Sequence, residues 1–236
     1  MLRQLRVIIL LLLCTLAGIL SAQPVKDFGV WASVGYGKDI SDKFDISLSQ
    51  EVRMEENALL MGRTFTQFGL DYKLERWIRF GLNYRFTLNR RGDGTYGHRH
   101  RIMTDLVLRT YQRRFTITFR GRLQSEIRTW NYPREFGFAP VWDLRNTLKV
   151  NYRLNRFIEP YVNLDLRFLL RDPDVPRFAG VDRTRLVVGA DMLLAEGRVL
   201  GLFFLTNQYW NIDDGRRIYV IGMEFNFGDD RPLIGN

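Results

Sequence analysis

The chain has 236 residues, with 35 Lys and Arg against 26 Asp and Glu, a formal net charge of +9. One cysteine and two histidines leave no disulfide framework and no thiolate metal centre. The arginines recur at period two along the chain rather than clustering on a helix, which argues against a nucleic-acid-binding surface.

The first 22 residues read as a secretory signal. Arg3 and Arg6 supply a positive start, Val7 to Leu13 is an unbroken apolar run, and Ser21-Ala22 is a small-residue cleavage site before Gln23. An uncleaved anchor would need a longer apolar run. Lipoprotein processing at Cys14 is disfavoured by the bulky Leu13 before it. Cleavage after Ala22 removes Cys14, Arg3 and Arg6 and leaves residues 23–236 as one domain, still basic. No apolar run of about 18 residues follows, so no spanning helix is expected.

From Phe44 to Phe227 an apolar/polar alternation of about ten residues repeats, each time followed by a turn. Before it, Val30 to Tyr36 is a first candidate strand, turned by Ser41-Asp42-Lys43. Phe44, Ile46, Leu48, Val52 and Met54 then alternate with Asp45, Ser47, Ser49, Glu51 and Arg53. Phe68 to Leu74 follows, and a short Glu75-Arg76 turn leads to the clearest strand, Ile78 to Asn89. There every even position is apolar or aromatic and every odd one is charged, polar or Gly, the mark of a strand with one apolar and one wet face. After a polar loop from Arg90 to Gly97 come Ile102 to Thr110 and Phe115 to Arg120. A long aromatic loop, Asn131 to Trp142, separates these from Leu144 to Tyr152. Val162 to Phe168 is next, then a loop whose Pro173 and Pro176 oppose strand structure. Leu186 to Leu194 and Leu200 to Trp210 form a hairpin around Glu196-Gly197, and Tyr219 to Phe227 completes the series.

Strands of about nine to eleven residues have the length that crosses a bilayer at a tilt of about 45°. Short and long connections alternate, as in outer-membrane barrels with short periplasmic turns and long outward loops. The loops near Asp93, Pro133, Pro176 and Asp214 are therefore expected outside. Trp77, Trp130, Trp142 and Trp210 near strand ends suit interfacial girdles. The polar half of each strand would face the lumen. The expectation is an all-β, antiparallel, up-and-down transmembrane β-barrel of the bacterial outer membrane. Eleven strands can be counted, but single-chain bacterial barrels have even numbers, so ten to twelve is expected, twelve being slightly preferred. An odd count would start the mature chain on the outer side.

Several segments resemble an uncharacterised family of Gram-negative outer-membrane β-barrels, a domain-of-unknown-function group. They are Asp27-Phe28-Gly29-Val30-Trp31, Phe80-Gly81-Leu82-Asn83-Tyr84-Arg85, His98-Arg99-His100-Arg101 and Asn207-Gln208-Tyr209-Trp210. The resemblance runs from Asp27 to Gly228 and implies the fold while offering no activity to carry over. Phe225-Asn226-Phe227 resembles the terminal aromatic signal read by the outer-membrane assembly machinery, an expected partner beside the lipid. Here Gly228 to Asn236 follow it.

Three groups could carry chemistry. His98 and His100 share a strand face and could serve as ligands or as a general base. Two ligands make a weak metal site, and none of Ser33, Ser41, Ser47, Ser49 and Ser125 lies in a hydrolase motif, so polar side chains where strand meets loop is the favoured reading. Strand parity sends Arg79, Arg85, Asp105, Arg109, Arg120, Arg122, Glu126, Arg145, Lys149, Asp165, Arg167 and Asp191 into the lumen, mixed in sign and biased to Arg. These would either pack the lumen or line a narrow anion-favouring path. The aromatic loop Asn131 to Phe138 could grip a ligand or fold over the mouth. No phosphate loop, nucleotide fingerprint, zinc spacing or catalytic triad signature appears. The expected function is a structural or porin-like small-solute channel protein without cofactor or metal and without catalysis. The alternative is a lipid-modifying hydrolase using a His near the outer leaflet.

Overall fold

The computed structural model describes residues 27–128, 140–173, 179–210 and 216–228. The expected signal peptide, the aromatic loop from Asn131 to Phe138, Trp130, Pro176 and Asp214 lie outside the described residues. The strands are β1 (Asp27–Asp39), β2 (Phe44–Glu55), β3 (Leu60–Glu75), β4 (Ile78–Arg90), β5 (Tyr96–Gln112), β6 (Phe115–Arg128), β7 (Val141–Tyr152), β8 (Ile158–Arg171), β9 (Gly180–Ala195), β10 (Arg198–Tyr209) and β11 (Arg217–Gly228). They close into one barrel in chain order.

Consecutive strands pair antiparallel. The seam differs: β1 pairs β11 in parallel, from Asp27↔Ile218 to Gly37↔Gly228. This corrects two expectations. The barrel has eleven strands, within the ten to twelve expected but odd rather than even, and it is not antiparallel throughout. The even-number rule belongs to barrels whose first and last strands also run antiparallel. One parallel ladder removes that constraint and puts Asp27 and Gly228 at opposite ends of the wall.

Parity decides which way each side chain points. In β4, Phe80, Leu82 and Tyr84 are 47%, 52% and 43% exposed on the outer face, while Asn83 and Arg85 are 6% and 5% exposed inside. A soluble barrel would invert this. The wall is also longer than the alternation suggests. β3 starts at Leu60, β5 at Tyr96 and β9 at Gly180, and β6 runs on to Arg128. All four extensions lie at the end that carries connections 56–59, 91–95, 129–140, 172–179 and 210–216, here the long-loop end. Connections 40–43, 76–77, 113–114, 153–157 and 196–197 mark the short-turn end.

Local chemistry holds the turns. Glu56, Asn57 and Ala58 all take left-handed backbone angles, with φ of 55°, 58° and 63°. Their strain is offset by hydrogen bonds from the Asn57 amide to Asp27 Oδ1 at 3.2 Å and from the Ala58 amide to the Phe28 carbonyl at 3.1 Å. In the β4–β5 loop, Asp93 Oδ1 accepts from the Thr95 hydroxyl at 2.7 Å and the Thr95 amide at 2.9 Å. These bonds hold its carboxyl below the ordinary carboxylate range.

One side of the interior is apolar. Tyr161, Val187, Leu205 and Val220 form a buried cluster, with Trp31, Phe203 and Ile218 packed against it. Glycines in the wall make room for the rings. A Cβ on Gly222 would lie 1.9 Å from the Phe203 ring, and one on Gly189 would lie 2.7 Å from the Tyr161 ring. Gly222→Ala is therefore expected to destabilise the barrel by about 1–3 kcal/mol through overpacking. Urea unfolding of the refolded protein checks this, and adding Phe203→Leu should recover most of the loss.

Candidate functional site

The charged part of the interior is built mostly by β2 to β9, many of whose inward positions carry Arg, Lys, Asp, Glu or amides. Arg85, Asp105, Arg120, Arg122, Glu126, Arg145, Lys149 and Asp165 are buried inside the barrel. Arg79, Arg109, Arg167 and Asp191 are half-buried on the same inward register. The wall brings most of these residues together in pairs and separates others along its length.

Three layers can be followed along the axis. At the long-loop end, Glu126 accepts from Arg99 at 3.1 Å and from Arg101, and Arg167 Nε donates to Asp182 at 2.8 Å. Arg216 pairs with Asp27 at 3.0 Å across the β11–β1 seam. In the middle, Arg122 grips Asp105 with Nε and Nη2 at 2.6 and 2.7 Å, a bidentate pair. Asp105 also receives Asn83, which in turn receives Gln67, and Gln67 accepts from Arg85 Nε at 3.0 Å. Arg145 binds Asp165, and Thr147 donates to the same carboxylate at 2.9 Å. At the short-turn end, Asp45 takes Lys73 at 2.5 Å and Arg79 at 3.2 Å, while Lys149 reaches Asp191 at 3.3 Å.

Two of these contacts skip a strand: Arg79 to Asp45 passes over β3, and Lys149 to Asp191 passes over β8. Strands two apart in the wall lie about 10 Å from each other, a span that a long cationic side chain and a carboxylate can bridge across the strand between them. Another cross-lumen grouping is a stack around Trp31. Arg53 lies 3.7 Å from its ring centre and Arg185, from β9, lies 5.4 Å from it. Arg53 is also held by Glu51 at 2.5 Å. Trp31 thus stands in the lumen between guanidiniums from two separated strands. A small void of about 30 Å³ beside it is lined by Arg53, Arg185, Tyr161, Phe203 and Glu224. Toward the short-turn end the lumen opens into a cavity of about 330 Å³. Lys149 lines both spaces.

Parity alone had signalled the lumen side of many residues, but not the aromatic constriction. Trp31, Phe65, Met103, Tyr161 and Phe203 occupy inward positions where a polar residue was expected. The available signal is the loss of alternation in Val199 to Leu205, apolar or Gly on both faces. Asp45, Arg63, Asp143, Asp182 and Arg183 also face inward. The last two lie in a strand extension that the alternation did not mark.

His98 and His100 point outward. Tyr84 Oη and His100 Nδ1 are 2.7 Å apart, and the Phe86 ring lies 5.5 Å from His98 and 5.4 Å from His100. Ser33, Ser47 and Ser49 sit on the opposite, inward face of the wall. Among the described residues no group of three or more His, Cys, Asp or Glu is placed to hold a metal ion.

A family model described as "Protein of unknown function (DUF2490)" matches residues 28–218. Among solved structures the chain is similar to a "Bacterial polysaccharide outer membrane secretin", with 16% identity and a TM-score of 0.51. The match covers 80% of this chain and 65% of that one. At that identity the likeness is one of fold, and the chain spans about 65% of that protein's length. No curated protein matches.

Proposed function

The chain belongs to the DUF2490 family of proteins of unknown function, and from that premise we propose that it is an integral β-barrel of the bacterial outer membrane whose narrow lumen favours small anions. The observation that carries this reading is the inverted distribution of polarity. Phe68, Leu82, Ile102, Leu148, Leu202 and Ile221 are exposed on the outer wall, whereas Arg122, Asp165 and Gln124 are nearly inaccessible inside. Water outside such a wall would be strongly unfavourable, and lipid would be its natural solvent. Exposed Trp77 at the short-turn end and Trp142 and Trp210 at the long-loop end suit two interfacial belts. A secretory leader and handling by the assembly machinery belong to the same reading. The fold likeness to an outer-membrane secretin agrees with it.

The lumen supports a restricted path rather than an open pore. Its charges are mostly paired, and the Arg53–Trp31–Arg185 stack narrows it. The excess of Arg gives residual positive potential where ions would pass. A barrier of this kind also fits a structural role with little transport.

Single-channel recording in a planar bilayer under a salt gradient tests the proposal. The expected result is a small conductance with a reversal potential on the anion side. Arg120→Ala with Arg122→Ala should raise the conductance and weaken the anion preference together. Cation preference in the parent protein, or a large open-pore conductance, would refute this view of the lumen.

A further inference from the structure

The 330 Å³ cavity at the short-turn end is sorted by chemistry. Of the five carboxylates on its wall, Asp71 among them, four sit in ion pairs: Asp105 with Arg122, Asp45 with Lys73 and Arg79, Asp191 with Lys149, and Glu159 with Arg153 at 3.1 Å. Among the described residues three guanidiniums on the same wall form no ion pair: Arg156, which stacks on the Phe157 ring, and Arg109 and Arg120. Arg120 is only 7% exposed, its closest acceptor is Thr147 Oγ1 at 3.5 Å, and its Nε has no partner among the described residues. Arg109 donates to Tyr111 Oη at 3.3 Å, and its Nε is likewise without a partner. Neither forms an ion pair among the described residues. A buried guanidinium with spare donors is costly unless an acceptor reaches it.

Beside Arg109 and Arg120 the wall carries hydroxyl and amide groups, among charged neighbours such as Arg122 and Lys149 that are already in ion pairs. Thr116, Thr118, Thr147 and Asn151 line it from β6 and β7, while Leu193 and Val199 supply an apolar patch from β9 and β10. We propose that this half of the lumen is a binding site for a small hydroxylated monocarboxylate, of the size and type of a sugar acid. Arg109 and Arg120 take the carboxylate, the Thr and Asn side chains take the hydroxyls, and Leu193 with Val199 meets the C–H face. The volume suits on the order of ten to fifteen heavy atoms, at the small end of ligand pockets. Two planar donor forks match a carboxylate in charge and geometry. The proposal rests on the anion-favouring reading of the lumen and deepens it, but it does not require that ions cross the barrel.

Isothermal titration of the folded, detergent-solubilised protein with gluconate tests it, with glucose and acetate as companion probes. Saturable gluconate binding is expected, with glucose and acetate each at least roughly tenfold weaker, because one lacks the charge and the other the hydroxyls. Arg120→Gln should weaken gluconate by a similar factor. Thr118→Val should weaken gluconate while leaving acetate unchanged, which separates hydroxyl recognition from charge. Heat-modifiable migration on gels verifies that each variant is a closed barrel. No saturable gluconate binding by the folded parent, equal binding of glucose and gluconate, or an Arg120→Gln variant that binds gluconate like the parent would overturn the site. Cation preference in the bilayer recording would end the anion-path reading and leave the titration intact. A failed titration would end the binding site and leave the conductance intact.

Discussion

Replacing Asp165 with Ala should cost the barrel about 3–5 kcal/mol of stability, the largest loss expected from any single change described. Asp165 is fully buried. Its Oδ2 accepts from Arg145 and, at 2.9 Å, from Thr147. Removing the carboxylate leaves the Arg145 guanidinium charged in a site that water reaches poorly. The loss is thus mostly the penalty of an uncompensated charge, and only in part the net worth of the pair. The double variant Arg145→Met with Asp165→Leu separates the two contributions. It removes both charges and keeps volume in the wall, so it should be far more stable than Asp165→Ala alone. Urea titrations of the refolded protein in lipid vesicles, followed by tryptophan fluorescence, give both values. A double variant as unstable as Asp165→Ala would mean that the ion pair itself, and not charge isolation, holds this part of the lumen.

Leu82→Arg should weaken membrane insertion by about 2–4 kcal/mol. Leu82 lies near the middle of β4 and is 52% exposed on the outer face, between Phe80 and Tyr84. In lipid, a guanidinium there has no water and no acidic partner. In water, the same substitution on a soluble barrel would be almost neutral. The comparison of vesicle-refolded yields for Leu82→Arg and for Arg79→Leu therefore reads the solvent outside the wall. Full insertion of Leu82→Arg at parental stability would sink the membrane assignment.

Much of this architecture is written locally in the chain. The strict alternation of β4 gives both its strand state and the side on which Arg85 and Leu82 lie, because a period of two leaves each residue only one face. The eleven strand segments were visible for the same reason. What failed was a rule about closure. With every consecutive pair antiparallel, an odd number of strands leaves β1 and β11 parallel, so the eleven visible segments already imply the seam, and the even-number rule points away from it. The extra length of β3, β5 and β9 was hidden because Leu60 to Thr66, Tyr96 to Arg101 and Gly180 to Arg185 pair with neighbours without alternating cleanly. The aromatic constriction was hidden differently. Trp31, Tyr161 and Phe203 look like wall residues by type, yet they stand on the inward register, where Gly189 and Gly222 make room for the Tyr161 and Phe203 rings. Partners such as Lys149 and Asp191 could be placed inside by parity, but their meeting across β8 depends on the register of β7, β8 and β9, which the alternation does not give.

The parallel seam has a kinetic consequence. Ten of the ladders join strands that follow one another in the chain, so each can zip as a hairpin soon after its turn forms. The ladder from Asp27↔Ile218 to Gly37↔Gly228 cannot. It waits for the final strand and pairs the extremes of the described chain, so it carries the longest loop-closure entropy in the molecule. Until then β1 and β11 are both open edges, each offering unpaired amides and carbonyls to any second chain nearby. Closure is thus both the slowest pairing and the one that ends the molecule's exposure to strand exchange.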